Sequence, residues 1–230
     1  MSDPLNGVYH KSTFDNISEE KRMKILNVAV NEFATQGFEN ANINTIAKKA
    51  GVSVGSLYKY FDTKADLFLT SVSYGVSTLE RVLNAITSKD EDIMLKLEKL
   101  LRAAIDFSRR NSVMIKLYNE FTAESNAELG KKLAQKMETI TAKAYKQAII
   151  QGQLSGEVRD DIDPGMAAFL VDNLLMNIQF SYSCAYYTER FRIYSGTDIF
   201  EKDEFAIQNI LTFIKAALKP QKNPERKDLL

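Results

Sequence analysis

Cysteine and histidine occur once each, as Cys184 and His10, and tryptophan does not occur at all. A lone cysteine forms no internal disulfide, and one cysteine with one histidine supplies none of the common zinc ligand sets. Neither a disulfide scaffold nor a metal site is expected. Nothing basic adjoins Cys184 in sequence to lower its pKa, which favours a buried structural thiol over a redox sensor. Also missing are a Ser/His/acid set and a phosphate-cradling Gly-Lys loop, so no catalytic machinery is visible and the chain is read as a non-enzyme without a cofactor. It has no arginine-rich start, no apolar signal stretch before a cleavage site and no uninterrupted apolar run of about 18 residues, the usual minimum for a membrane span. A cytoplasmic protein that avoids the membrane is the expectation.

Net charge is lacking too, with Lys+Arg and Asp+Glu both at 30. The totals alone do not suggest a nucleic-acid binder. Between Asn42 and Lys64, however, Lys48, Lys49, Lys59 and Lys64 face only Asp62, a local positive excess that suits phosphate contact.

What the sequence does contain is helical periodicity. Residues 1–17 show none and are read as a flexible arm. Ser18, followed by Glu19 and Glu20, is an N-cap signal, and Ile25, Ala29 and Phe33 recur at four-residue spacing until Gly37 closes the segment. Asn42 can cap a second, short helix ended by Gly51, and Ser53 a third that stands only by packing Leu57 and Phe61 on the first two. Thr63 starts a long fourth helix carrying Leu67, Phe68, Val72, Val76, Leu79 and Leu83. Further apolar stripes run through 93–108, 115–121 and 129–148, and Asp163-Pro164 signals another start. The stretch 167–187, broken by several polar residues, reads as a buried helix continuing to about 188, and a last helix ends before Pro220. These readings predict an all-α protein of about nine helices. The predicted units are the arm (1–17), a three-helix unit (18–62), a larger helical domain (63–219) and a tail (220–230).

Two short helices joined by Gly51-Val52-Ser53 present the second outward, where its first turn can enter a major groove about 12 Å wide. Gly55 has no side chain to hold the backbone off, and Ser56 can bond a phosphate or a base edge. Tyr58, Lys59 and Tyr60 are read along the exposed side with groups suited to phosphate oxygens. Lys64 would join its charge to the free N–H groups of the next helix start. Asn42, Thr45, Ser53 and Val54 complete the candidate DNA-binding set. Taken singly, the tyrosines are ordinary half-buried aromatics, the lysines a solvated face and the glycines turn residues.

Taken jointly, they resemble the DNA-binding domain of the tetracycline-repressor (TetR) family. The matching features are Ile25-Leu26-x-x-Ala29-x-x-x-Phe33-x-x-x-Gly37-Phe38, then Ile46-Ala47-x-x-Ala50-Gly51-Val52-Ser53-x-Gly55-x-Leu57-Tyr58-x-Tyr60-Phe61-x-x-Lys64-x-x-Leu67. The resemblance covers about the first third of the chain. It implies a homodimer whose two helix-turn-helix units read a palindromic operator in double-stranded DNA, usually repressing until an effector binds the C-terminal domain. Two positions depart from the pattern. Thr45 stands where the family is often acidic, leaving a capping box with Asn42 incomplete, and Val54 stands where Lys, Arg or Pro is frequent and offers only apolar contact.

Beyond residue 63 the resemblance gives architecture without a ligand. Phe107, Met114, Tyr118 and Phe121, with Asn173, Asn177, Phe180 and Tyr182, could line an apolar cavity for a small, mainly apolar effector. The same residues could instead fill a core. The dimer interface is expected on the helices at about 164–188 and 203–218, through Ile207, Leu211, Ile214 and Leu218. The competing reading is a DNA-binding protein of the same fold whose C-terminal domain receives a protein partner; an internal cavity favours the first and a filled core the second.

Overall fold

Six helices start on a side chain that accepts a backbone N–H. Ser18, Asn42, Ser53, Thr63, Asp92 and Asp163 bond the amides of Lys21, Asn44, Ser56, Asp66, Met94 and Met166 respectively. Each such cap contributes about 1 kcal/mol by satisfying a donor that the helix itself leaves orphaned. Thr63 goes further: Asp66 accepts from its backbone N–H, so the pair forms a reciprocal capping box.

The computed structural model describes residues 8–122 and 127–220, apart from some side chains between 120 and 127 and that of residue 78. In chain order its helices are α1 (Ser12–Asp15), α2 (Glu19–Asn40), α3 (Ile43–Ala50), α4 (Val54–Tyr60), α5 (Lys64–Thr87), α6 (Ile93–Arg110), α7 (Ser112–Thr122), α8 (Ala127–Ser155), α9 (Pro164–Ser181), α10 (Ala185–Ser195) and α11 (Asp203–Leu218). The chain is all-α among the described residues, with α1 and α10 added to the nine helices read from periodicity. Gly37 breaks α2 with a φ of 73°, and Gly51 ends α3 in the left-handed conformation at φ 74°.

Two large apolar clusters organise the helices. One gathers Phe33, Ile46, Leu57, Phe61 and Phe68 around α2, α3, α4 and the first turns of α5, and extends to Leu117 of α7 and Leu133 of α8. The other joins the far end of α5 at Leu83 to α6, α8, α9 and α11 through Leu101, Ile149, Leu175 and Ile214. Helices α5 and α8 belong to both.

Three expectations need correction. From Val8 onward, residues 8–17 are not a free arm: Phe14 is buried against Tyr60 and Phe61, with ring centroids 5.6 and 4.8 Å away, and the Lys11 N–H donates to the Tyr60 carbonyl at 2.8 Å. One aromatic on a four-residue helix is too short a pattern for periodicity to register, yet it fills a gap in the first core. Residues 1–7 and 221–230 lie outside the described residues.

The helix expected to run to about 188 stops at Ser181. There Tyr182 turns inward, donating its hydroxyl to Asp203 at 2.5 Å and meeting Phe200 edge-on, and α10 restarts at Ala185.

Ile207, Leu211, Ile214 and Leu218 do not face outward for a partner; all four are buried in the second core of their own protomer. The apolar face that α9 and α11 leave exposed comprises Met166, Phe169, Leu170, Phe205 and Phe213. On α11 the inward stripe is the more regular one, and it is satisfied by α6 and α9.

Replacing Phe14 with alanine removes a buried ring from the first core. We expect this to lower unfolding stability by about 3 kcal/mol in urea titrations. A change within about 0.5 kcal/mol would mean that the segment is not docked in solution.

Candidate functional site

Helix α4 is amphipathic over only seven residues. Leu57 and Tyr60 point inward, while Ser53, Gly55, Tyr58 and Lys59 are exposed and Val54 and Ser56 half-buried. Tyr60, expected on the outer side, is therefore corrected to a core residue, packed on Phe14. It lies three residues after Leu57 and shares its face, whereas Tyr58 lies one residue on, about 100° round the helix. A Cβ built on Gly55 would meet only the Ser53 hydroxyl, at 3.9 Å, so the protein's own packing does not demand a glycine there. Ser53 and Ser56 share a hydrogen bond of 2.8 Å that either hydroxyl can exchange for an incoming oxygen. Asn42 is exposed and Thr45 half-buried at the start of α3.

The basic residues divide into two kinds. Lys49 is paired with the buried Glu32 at 2.9 Å. Lys64 donates to the Glu39 carbonyl at 2.9 Å and lies 4.8 Å from the centre of the Phe38 ring, so it ties the end of α2 to the start of α5. Lys48 and Lys59 are exposed, and their ammonium groups have no ion-pair partner among the described residues. The sequence reading missed Lys11 and Thr13. Lys11 donates to the Tyr58 carbonyl at 3.0 Å and pairs with Asp62 at 2.6 Å, while the Thr13 hydroxyl donates to the Lys59 carbonyl. Together with the Lys11 N–H they occupy the carbonyls that the last turn of α4 would otherwise leave orphaned. Phe14, the large apolar residue beside them, was the one available signal.

A cavity of about 360 Å³, open to solvent where Asp106 and Arg110 line it, lies between α5, α6, α7, α8 and α9. Phe107, Met114 and Tyr118 line it as expected. Phe121 lies on α7, with its side chain outside the described residues. Asn173 and Asn177 do not reach the cavity: they donate to the Phe169 and Asn173 carbonyls along the outer face of α9, the face of Met166 and Leu170. The inner face belongs to Asp172, Leu175, Met176 and Gln179; Asp172 and Met176 lie one residue before the two asparagines and so about 100° round the helix. Phe180 packs instead in a small cluster with Ile115 and Cys184, and Tyr182 lies beyond the helix end, held by Asp203 and Arg109. Burial pushes the Cys184 thiol pKa up.

The cavity's polar groups were the largest omission. The Tyr118 hydroxyl donates to Glu138 at 2.5 Å, and its pKa is pushed up by burial and by that carboxylate. Burial and the Glu138 charge push the Asp172 carboxyl up to about 7. Tyr145 adds a phenol whose pKa is likewise raised by burial. A separate cleft of about 610 Å³ lies between residues 8–15 and α2, α5 and α8, but its walls carry Asp15, Glu19 and Glu80 against Arg22 and Lys136, so it favours no ligand charge. Among the described residues no group of three His, Cys, Asp or Glu side chains could hold a metal ion, and no helix is long and apolar enough to cross a membrane.

An unfolded aspartate titrates near 3.8, whereas Asp172 keeps its proton up to about 7. Between those values the native state binds more protons than the unfolded chain, so stability falls as the pH rises through that window. Asp172→Asn should therefore raise unfolding stability at pH 8, by an amount on the order of 2 to 4 kcal/mol, and change it little at pH 4. Equal denaturation midpoints for the two proteins at pH 8 would contradict the buried placement.

Residues 25–70 match the model of the bacterial regulatory proteins of the tetR family. The chain is 30% identical over 112 residues to the nucleoid occlusion factor SlmA of Haemophilus ducreyi, a match spanning 48% of this chain and 53% of that protein, about half its length. It is 24% identical over 170 residues to the HTH-type transcriptional regulator YhgD of Bacillus subtilis, covering 72% of this chain and 86% of the relative. In fold it is similar to the transcriptional regulator FadR of Bacillus subtilis, solved in complex with stearoyl-CoA, with a TM-score of 0.70 at 17% identity over 85% of this chain and 98% of that one.

Proposed function

We propose that this chain, which belongs to the TetR family of transcriptional regulators, is a homodimeric repressor that releases a palindromic operator when a small, mainly apolar molecule enters the cavity between α5 and α9. One observation carries the reading. Val76 of α5 is buried in the core of the DNA-binding helices and also lines the cavity, so the same helix forms a wall of both. A ligand that displaces α5 moves the base on which α4 stands. In a dimer the two α4 helices must lie about 34 to 36 Å apart to enter successive major grooves, and a small tilt of each α5 changes that spacing. The effector need only bind the wrongly spaced state more tightly; a differential of roughly 1 to 3 kcal/mol alters operator affinity by about 5 to 150 fold.

The DNA-binding unit in this reading spans 18–62, steadied by the docked segment before it, and the effector and dimerisation domain spans 63–219. Ser53, Val54, Gly55 and Ser56 enter the groove, while Asn42, Thr45, Tyr58 and Lys59 hold phosphates. Lys64 adds charge from behind its contacts with α2. Dimerisation uses the exposed stripes of α9 and α11, where five large apolar side chains have no cover. A cavity rather than a filled core is what favours a small molecule over a protein partner at this site. In this reading the chain works in the cytoplasm on DNA and catalyses no reaction.

Lys59→Ala should weaken binding to a selected operator and to random duplex alike. It should also flatten the plot of log affinity against log salt by about 2, one phosphate contact per protomer. An unchanged salt slope would remove Lys59 from the interface. Phe213→Glu should give folded monomers in sedimentation and cost more than about 100-fold in operator affinity, since each half-site then binds alone. Charging Ile214, by contrast, should unfold the protomer. A Phe213→Glu protein that remained dimeric at micromolar concentration would place the interface elsewhere.

A further inference from the structure

We propose that the effector is an apolar molecule carrying one cationic nitrogen, which Asp172 and Glu138 receive at the polar end of the cavity. The inference rests on the reading of this cavity as the effector site and names the chemistry it selects. Four charged side chains line the cavity: Asp106, Arg110, Glu138 and Asp172. Asp106 and Arg110 neutralise each other, 2.8 Å apart on one helix face, and both are more than half exposed. Glu138 and Asp172 remain, and neither has an ammonium or guanidinium partner among the described residues.

Glu138 accepts the Tyr118 hydroxyl, a neutral donor that leaves the carboxylate charge uncompensated. Asp172 has no hydrogen-bond partner among the described residues. Tyr145 lines the same cavity and is 6% exposed. Two carboxyls lining one largely apolar pocket are costly unless something positive joins them. Among the described residues nothing supplies the positive charge.

The remaining lining fits the rest of such a molecule. Phe107, Tyr118 and Tyr145 offer aromatic faces, which attract ammonium groups, and Leu79, Leu83 and Leu175 supply apolar wall. A carboxylate or phosphate placed at this end would meet two acids. The raised Asp172 pKa has the same origin, in burial and the neighbouring Glu138 charge.

When a permanent cation binds, Asp172 loses that proton to solvent, so affinity should rise with pH between 6 and 8. The titratable groups facing the site are Tyr118 of α7, Glu138 and Tyr145 of α8, Asp172 of α9, and the Asp106–Arg110 pair of α6; α5 contributes only apolar side chains and Gly75.

The test is calorimetric titration of the full chain at pH 6, 7 and 8 with three probes: (4-phenylbutyl)trimethylammonium, its neutral isostere with carbon in place of nitrogen, and 4-phenylbutyrate. The cation should bind at least about tenfold more tightly than the neutral isostere, and the anion more weakly than either. The cation's advantage should grow with pH. In Asp172→Asn, shown to be folded by circular dichroism, the ratio of cation to neutral affinity should fall to within about twofold and lose its pH dependence. Equal binding of cation and isostere, tighter binding of 4-phenylbutyrate, or a preference that survives Asp172→Asn would each overturn the ligand class while leaving the effector cavity in place. Ala103→Trp, which fills the cavity from α6, should abolish binding of every probe. Binding undiminished in that folded variant would place the ligand elsewhere and overturn the cavity reading itself.

Discussion

Helix α5 is the constraint on which the rest of the structure depends. Its start is fixed by the reciprocal bonds between Thr63 and Asp66, and its first turns supply Leu67, Phe68 and Val72 to the core that also holds α4. Farther along, Val76, Leu79 and Leu83 face the cavity, and Leu83 enters the second core. Close-packed cores do not deform continuously, so a change at one end of a rigid helix shared by two of them has to be accommodated at the other. Helix α4 and the cavity are thereby linked without direct contact between them.

The docked residues before α2 serve the same end of α5. A seven-residue helix has little stability of its own, and α4 depends on what holds its two ends. Ser53 caps the first, while Lys11, Thr13 and Phe14 secure the last turn through its carbonyls and through Tyr60 and Phe61. Lys64 adds a third attachment, drawing the end of α2 onto the start of α5. Two of the residues that a sequence assigns to DNA by charge or aromaticity, Tyr60 and Lys64, thus already have partners within the protein.

Asp172 shows the opposite economy. A leucine there would suit the apolar surroundings better, and a carboxyl that must remain protonated near neutral pH works against stability. Groups of this kind cluster at functional sites because a ligand supplies what the fold withholds. The uncovered stripe of Met166, Phe169, Leu170, Phe205 and Phe213 has similar logic at larger scale: it destabilises nothing in the protomer but leaves apolar surface that a second copy can remove from water.

By itself the sequence determined nine of the eleven helices among the described residues, and the family resemblance. Both rest on local signals: cap residues bond amides two or three positions away, and apolar spacing of three and four marks one face of one helix. Ser18, Asn42, Ser53, Thr63 and Asp163 were legible as starts for that reason, as were Gly51 and the pattern from Ile25 to Leu67. Which face looks inward was decided only by the tertiary structure. Spacing alone could not tell whether Ile214 or Phe213 turns to the core, whether the cavity sees Asn173 or Asp172, or whether Tyr60 follows Leu57 inside. Those choices depend on neighbours far away in sequence. Phe14 on Phe61, Tyr182 on Asp203, and Glu138 beside Tyr118 and Asp172 are meetings between helices, and no periodicity within one helix records them.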